Sequence, residues 1–214
     1  EISFRVKNMD IRLIMQRAKA QIKNNMGVLA TCTLLTGIVS YALNRIGSPF
    51  EQLYFFLILP ALELGFILIY LSIIDRKEIQ VSDVLAGFND YGRIIVANLC
   101  MVIFITLWSF LLIIPGIIKI YSYSMTFYIL AEDPTISPID AITKSKEMMQ
   151  GNKLDLFCMH LSFFGWFILC IITLGIALLY VGPYIGAAQA NFYRTLVNRN
   201  KDSVDVNVEP IEVI

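Results

Sequence analysis

The sequence predicts an all-α integral membrane protein of six transmembrane helices, arranged as three parallel repeats of an interfacial amphipathic helix plus a transmembrane helical hairpin. Three observations predict it. The chain is 57% hydrophobic and 16% charged, with a mean hydropathy of +0.68, whereas a soluble domain carries about 25% charged residues. Six apolar runs divide it. Of its 17 Lys and Arg, 15 fall in alternate gaps between those runs (Arg5 to Lys23, Arg76 to Arg93, Lys144 to Lys153, Arg194 to Lys201), and only Arg45 and Lys119 lie in the others. Basic loops resist translocation, so this bias sets both termini in the cytoplasm of an inner-membrane protein. The stretch before the first run is too long and polar for a signal-peptide n-region, and no cleaved leader is expected.

The runs are Met26 to Ile46, Leu53 to Ile74, Ile94 to Ile113, Ile117 to Ala131, Leu154 to Ile172 and Ile176 to Val197. About 20 helical residues cross a hydrocarbon core of about 30 Å, so the fourth is short. The outer connections are Gly47 to Gln52 and tight turns at Pro115-Gly116 and Thr173-Leu174-Gly175. An amphipathic helix is predicted before each pair. In the first, Ile11, Ile14, Ala18 and Ile22 share a face opposite Arg12, Gln16, Lys19 and Lys23. In the second, Val84, Leu85, Phe88 and Tyr91 recur behind Ser82 as N-cap. In the third, Ser137-Pro138-Ile139-Asp140 supplies an N-cap, a proline at N1 and a carboxylate at N3. Its apolar face is Ile139, Ile142 and Met149. Such helices are expected to lie in the interface, basic groups toward anionic headgroups.

Internal similarity underlies the repeat. A shift of 59 residues aligns Gly92 with Gly151, Phe104 with Phe163, Gly116 with Gly175 and Tyr121 with Tyr180. Two-span repeats keep one orientation, which predicts a pseudo-threefold axis along the membrane normal. Residues 1–199 form one membrane domain, and residues 200–214 a polar C-terminal tail read as a flexible extension.

The motifs Ile114-Pro115-Gly116-Ile117-Ile118-Lys119, Tyr121-Ser122-Tyr123-Ser124-Met125, Ala131-Glu132-Asp133-Pro134, Ser145-Lys146, Asp155-Leu156-Phe157, Gly165-Trp166 and Pro183-Tyr184 run through most of the chain. In them the chain resembles a bacterial multi-pass membrane family, domain of unknown function number 975. That family is similar to the membrane domain of some glycerophosphodiester phosphodiesterases. The resemblance implies a polytopic bacterial membrane protein and no particular activity, because the phosphodiesterase domain is not in this sequence.

Glu63 is the sharpest candidate residue. It falls midway along the second run, where a charge costs at least about 2.5 kcal/mol unless it faces protein or water. It is expected to point into the bundle, as a ligand, proton or substrate site or as a structural carboxyl. Lys119 is a candidate partner or a lysine snorkelling to the outer surface. Tyr123 and Tyr184 are the deepest of the tyrosines that line a polar path or an aromatic belt. Gly182, Gly186 and Ala190 recur every four residues, a spacing that lets helix backbones approach; Gly182-Pro183 also reads as a potential helix break. Asn98, Gln189 and Asn191 are expected to bond between helices.

Cys32, Cys100, Cys158 and Cys170 lack ligand spacing and read as free thiols packed in helices. His160 and Asp155 stand five apart with no nucleophile beside them. No catalytic residue, metal site or cofactor is therefore expected, nor a nucleic-acid partner. Membrane lipids are the expected partners, with a protein partner or a second copy of the chain left open. Two functions fit: a transport, efflux or lipid-linked accessory component, or a non-catalytic scaffold or regulator acting through its basic cytoplasmic helices.

Overall fold

The first helix, α1 (Ile11–Lys23), starts where Asp10 accepts a hydrogen bond from the Leu13 amide (3.1 Å), and it buries Ile14, Ala18 and Ile22. That is the face its periodicity predicts. In this computed structural model residues 9–46, 52–173 and 175–206 are described, and among them the chain is helical, with no strand. The first outer connection, apart from Gln52, lies outside the described residues.

α2 (Met26–Ile46) follows directly. α3 (Leu59–Ile74) is entered through a π-helical turn, Tyr54–Ile58, closed by the Leu59 amide on the Tyr54 carbonyl. Pro60 explains the widening: it has no N–H for the Phe56 carbonyl, and its ring would clash with that carbonyl in a regular turn. α3 ends at Asp75, with Arg76 in the left-handed region (φ 57°).

The next segment differs from expectation. Val81–Asp90 is a 3₁₀ helix, and its N-cap is Gln80, in a reciprocal capping box with Asp83, rather than Ser82. A 3₁₀ helix of ten residues is unusually long. Its slimmer backbone lies directly on α3. A Cβ on Gly65 would strike the Val84 carbonyl, and one on Gly87 would strike the Ala61 carbonyl and stand 2.8 Å from the Gly65 amide nitrogen. Only glycine at both positions permits this crossing.

α4 (Tyr91–Leu111) and α5 (Ile113–Tyr123) form a hairpin whose bend is the extended residue Leu112 (φ −163°, ψ 141°). The expected turn at Pro115-Gly116 is instead the first turn of α5, where proline needs no amide partner, and Gly116 rests against Ser109. The fourth run is broken too: α5 stops at Tyr123, and α6 (Thr126–Glu132) resumes. Ser122, Ser124 and Thr126 turn their hydroxyls back onto the carbonyls of Ile118, Tyr121 and Tyr123 (2.8–2.9 Å), which competes with the helical ladder.

α7 (Pro138–Met148) has the predicted cap, Ser137 accepting from the Asp140 amide. It buries Ala141, Ile142, Ser145 and Met148, while Ile139 is exposed. The fifth run bends at Phe163 between α8 (Lys153–Ser162) and α9 (Phe164–Ile172). Gly175 (φ 90°) sits in the next turn, a role its aligned partner Gly116 does not share. α10 (Leu178–Val206) runs through Pro183 unbroken and extends into the segment read as a tail; residues 207–214 lie outside the described residues.

Among the described residues four stretches are long and apolar enough to cross a membrane: Met26–Leu43, Tyr54–Ile74, Val81–Phe110 and Lys153–Ile172. The surface agrees with a lipid solvent. Phe110 is 88% exposed, Ile171 76% and Leu154 75%, which water would penalise. The buried core lies along α3, α6 and α10. Three further helices each lie on one of these: the 3₁₀ helix on α3, α7 on α6, and α1 on α10.

Candidate functional site

α3, α4 and the α5–α6 break bring Glu63, Asn98, Tyr123, Ser124 and Phe127 around one crevice of about 190 Å³, completed by Met101, Val102, Ile105 and Ile120. Glu63 keeps accessible surface toward this space. The same crevice is lined by an amide, a phenol and a hydroxyl from neighbouring segments, while Glu63 itself is exposed. Among the described residues it forms no ion pair. A carboxylate among such groups can bind a proton or a cation; among the described residues no cluster of three His, Cys, Asp or Glu is placed to hold a metal ion.

The break that shapes the crevice is stabilised from α7. Ser145, fully buried, donates to the Ser122 carbonyl (3.0 Å) and accepts from the Met125 amide (3.1 Å). It thereby satisfies backbone groups that the interrupted ladder orphans.

The other candidates separate. Tyr123 lines the crevice, with its ring 6.3 Å from that of Phe104. Lys119 does not pair with Glu63; its Nζ stands 4.5 Å above the Trp108 ring and 5.9 Å from that of Tyr123. Tyr184 belongs elsewhere, packed at 5.0 Å on Phe163 and at about 6.1 Å on Trp166 and Tyr180. Gly186 faces the Tyr70 ring so closely that any side chain would collide, Gly182 faces Thr33, and Ala190 is fully buried. Asn191 donates to Gln21 of α1 (2.6 Å), and Gln189 meets His160 Nε2 (2.9 Å), whose Nδ1 lies 3.4 Å from the Tyr121 hydroxyl. The cysteines are free, with Cys158 exposed rather than packed inside.

A charged junction escapes the sequence reading. Arg194 of α10 donates through Nη2 to both carboxylate oxygens of Asp75 (3.0 and 2.9 Å) and through Nη1 to Glu132, which also accepts from the Tyr193 hydroxyl (2.6 Å). It therefore ties together the ends of α3 and α6. Beside it Arg93 donates to the carbonyls of Asp133 (2.9 Å) and Ile136 (2.7 Å), fixing the α6–α7 loop. Bonds from the Thr135 hydroxyl and amide hold the Asp133 carboxyl below its ordinary range.

No curated protein and no solved structure matches the chain. A family does match, over residues 6–122 and 110–200, and its span takes in every element of the crevice and the junction. The chain belongs to the family described as Protein of unknown function (DUF975).

Proposed function

We propose that the chain is a six-span protein of the bacterial cytoplasmic membrane that moves or presents a membrane-soluble amphiphile through the Glu63 crevice. The observation that carries this is a carboxylate midway along the apolar helix Tyr54–Ile74, opening onto a space shared with Asn98 and Ser124. An ionisable group is costly at that position, which favours a functional role for it over a purely structural one.

The architecture we propose is three repeats, each a membrane-proximal helix followed by two spans, around an inner trio of α3, α6 and α10. The cyclic packing supports it, because each membrane-proximal helix leans on the inner helix of the preceding repeat. So does the basic asymmetry, which favours cytoplasmic termini. In a cysteine-free background, Lys23→Cys, Lys77→Cys, Lys146→Cys and Lys201→Cys are expected to react with an impermeant thiol reagent only from the cytoplasmic side. Ser48→Cys, outside the described residues, is expected to react from the opposite side. Labelling of the Lys146→Cys protein from outside overturns this topology.

The function is tested in proteoliposomes by flux of tetraphenylphosphonium, a hydrophobic cation. Glu63→Gln, which keeps shape and hydrogen bonding, is expected to abolish flux while leaving the unfolding midpoint within about 2 °C of the parent, as befits a change of less than about 0.5 kcal/mol. Equal flux from the parent and Glu63→Gln proteins removes the transport reading and leaves the scaffold.

A further inference from the structure

Among the described residues the Glu63 carboxylate accepts no hydrogen bond and forms no ion pair, and the Asn98 amide makes no hydrogen bond. Both line the crevice of about 190 Å³ between α3, α4 and the α5–α6 break. Each lies in an apolar stretch long enough to span a membrane. There a polar group without a partner costs free energy, and a charge costs more. The crevice therefore calls for an occupant.

Its walls present oxygen. Ser124 spends its hydroxyl proton on the Tyr121 carbonyl (2.9 Å), so lone pairs are what it has left to offer. The Met125 amide, which would bond that carbonyl in an unbroken helix, goes to Ser145 Oγ instead (3.1 Å). α5 thus ends in Tyr123, at the crevice, with the negative pole of its dipole there. Asn98 adds an amide oxygen and Glu63 two carboxylate oxygens. Lys119, the cation of α5, is held over the Trp108 ring at 4.5 Å.

An anion is repelled by such a set. A proton would answer the carboxylate and leave the other oxygens unused. Calcium takes about six to eight oxygen ligands, several of them carboxylates, and among the described residues no cluster of three His, Cys, Asp or Glu provides them. One carboxylate balances one positive charge. The space amounts to on the order of six waters at about 30 Å³ each, so a small ion keeps part of its hydration shell.

We propose that Glu63, Asn98, Ser124 and the C-terminal end of α5 form a binding site for a partly hydrated monovalent alkali cation. Interrupted membrane helices hold ions by this combination of helix C-terminal ends and oxygen ligands. It rests on the reading of this crevice as the working site, and it supplies the counter-charge that a hydrophobic cation displaces on entering.

The whole protein in a neutral detergent is titrated with sodium chloride and with potassium chloride, choline chloride holding the ionic strength constant. Thermal unfolding and isothermal titration calorimetry are the readouts. Sodium or potassium is expected to bind at one site per chain and to raise the midpoint by several degrees, and choline to do neither. Glu63→Gln is expected to abolish binding. Asn98→Leu, which leaves every charge in place, is expected to weaken it about tenfold, as loss of one charge-assisted ligand does. Glu147→Gln, at an exposed carboxylate of α7, is expected to bind as the parent does. Equal response to choline, or undiminished binding by Glu63→Gln or Asn98→Leu, overturns the proposal. So does a midpoint that follows pH and ignores both alkali ions, which assigns the carboxylate to a proton. If one of the two variants fails to fold, the other decides alone. Flux of tetraphenylphosphonium separates the ion site from the transport reading. Flux without alkali-ion binding overturns the ion site and leaves transport, and binding without flux does the reverse.

Discussion

Gly87→Ala is expected to lower the unfolding midpoint in detergent by on the order of 10 °C, and Gly65→Ala by a similar amount. Each added methyl would be driven into a carbonyl of the opposite helix, Ala61 for Gly87 and Val84 for Gly65. Backbone cannot rotate aside as a side chain can, so the 3₁₀ helix must lift off α3. Overpacking of this kind costs about 3 kcal/mol. Lifting also opens the groove lined by Cys32, Leu62, Val84 and Phe88, of about 370 Å³, and loosens α2, whose Cys32 thiol reaches the Val81 carbonyl at 4.0 Å. Gly27→Ala and Gly92→Ala are the controls, since nothing lies within 4 Å of a Cβ there. Both sit in helices, where alanine is favoured by about 0.5–1 kcal/mol, so neither is expected to lower the midpoint. If Gly87→Ala melts with the controls, the close crossing of the two backbones is wrong.

Arg194→Met is expected to destabilise by about 2 kcal/mol and to uncouple the ends of α3 and α6. The guanidinium serves two carboxylates at once, and with its side chain 26% exposed the junction is only partly screened by water. Removing it leaves Glu132 without its cation and Asp75 with only the exposed Lys77, 4.0 Å away. Arg194→Lys is expected to recover part of the loss, because one ammonium keeps the charge but cannot present a fork to both acids. Adding Asp75→Asn and Glu132→Gln to Arg194→Met is expected to recover more, since it removes the uncompensated charges. Thermal unfolding of the series checks this, and strictly additive losses across it would show that the three groups act separately.

What the sequence reveals of this molecule is what is local. The face of α1 and the Ser137-Pro138-Asp140 cap follow from spacings of three and four residues, and both are found where predicted. The break at Ser124 is hidden, because hydropathy counts apolar residues and ignores hydroxyls folding back on their own helix. Gly65 and Gly87 meet across 22 positions of sequence; Ala61 and Gly65 are four apart, but that spacing does not say that Gly87 is what packs on them. Glu63 is conspicuous as a lone charge in an apolar run, but that its companions are Asn98 and Ser124 follows only from packing. In the charge bias Arg194 is one more positive charge on one side, which is true of its sign and silent on its partners. Lys119 misleads for the same reason: the gap it occupies says nothing of where its side chain reaches.

The contact of α1 with α10 has a consequence for biosynthesis. Gln21 accepts its hydrogen bond from Asn191 across 170 positions. α1 therefore waits for α10, and the part of its Ile14, Ala18 and Ile22 face that α10 covers stays open until the intervening residues have been translated. Chains fold from the N-terminus as they emerge, at about 5–20 residues per second, so this apolar face is unpaired for on the order of ten seconds. A ribosome that stalls before α10 leaves α1 without this partner, its apolar face available to chaperones and proteases, and synthesis of α10 is what hides it.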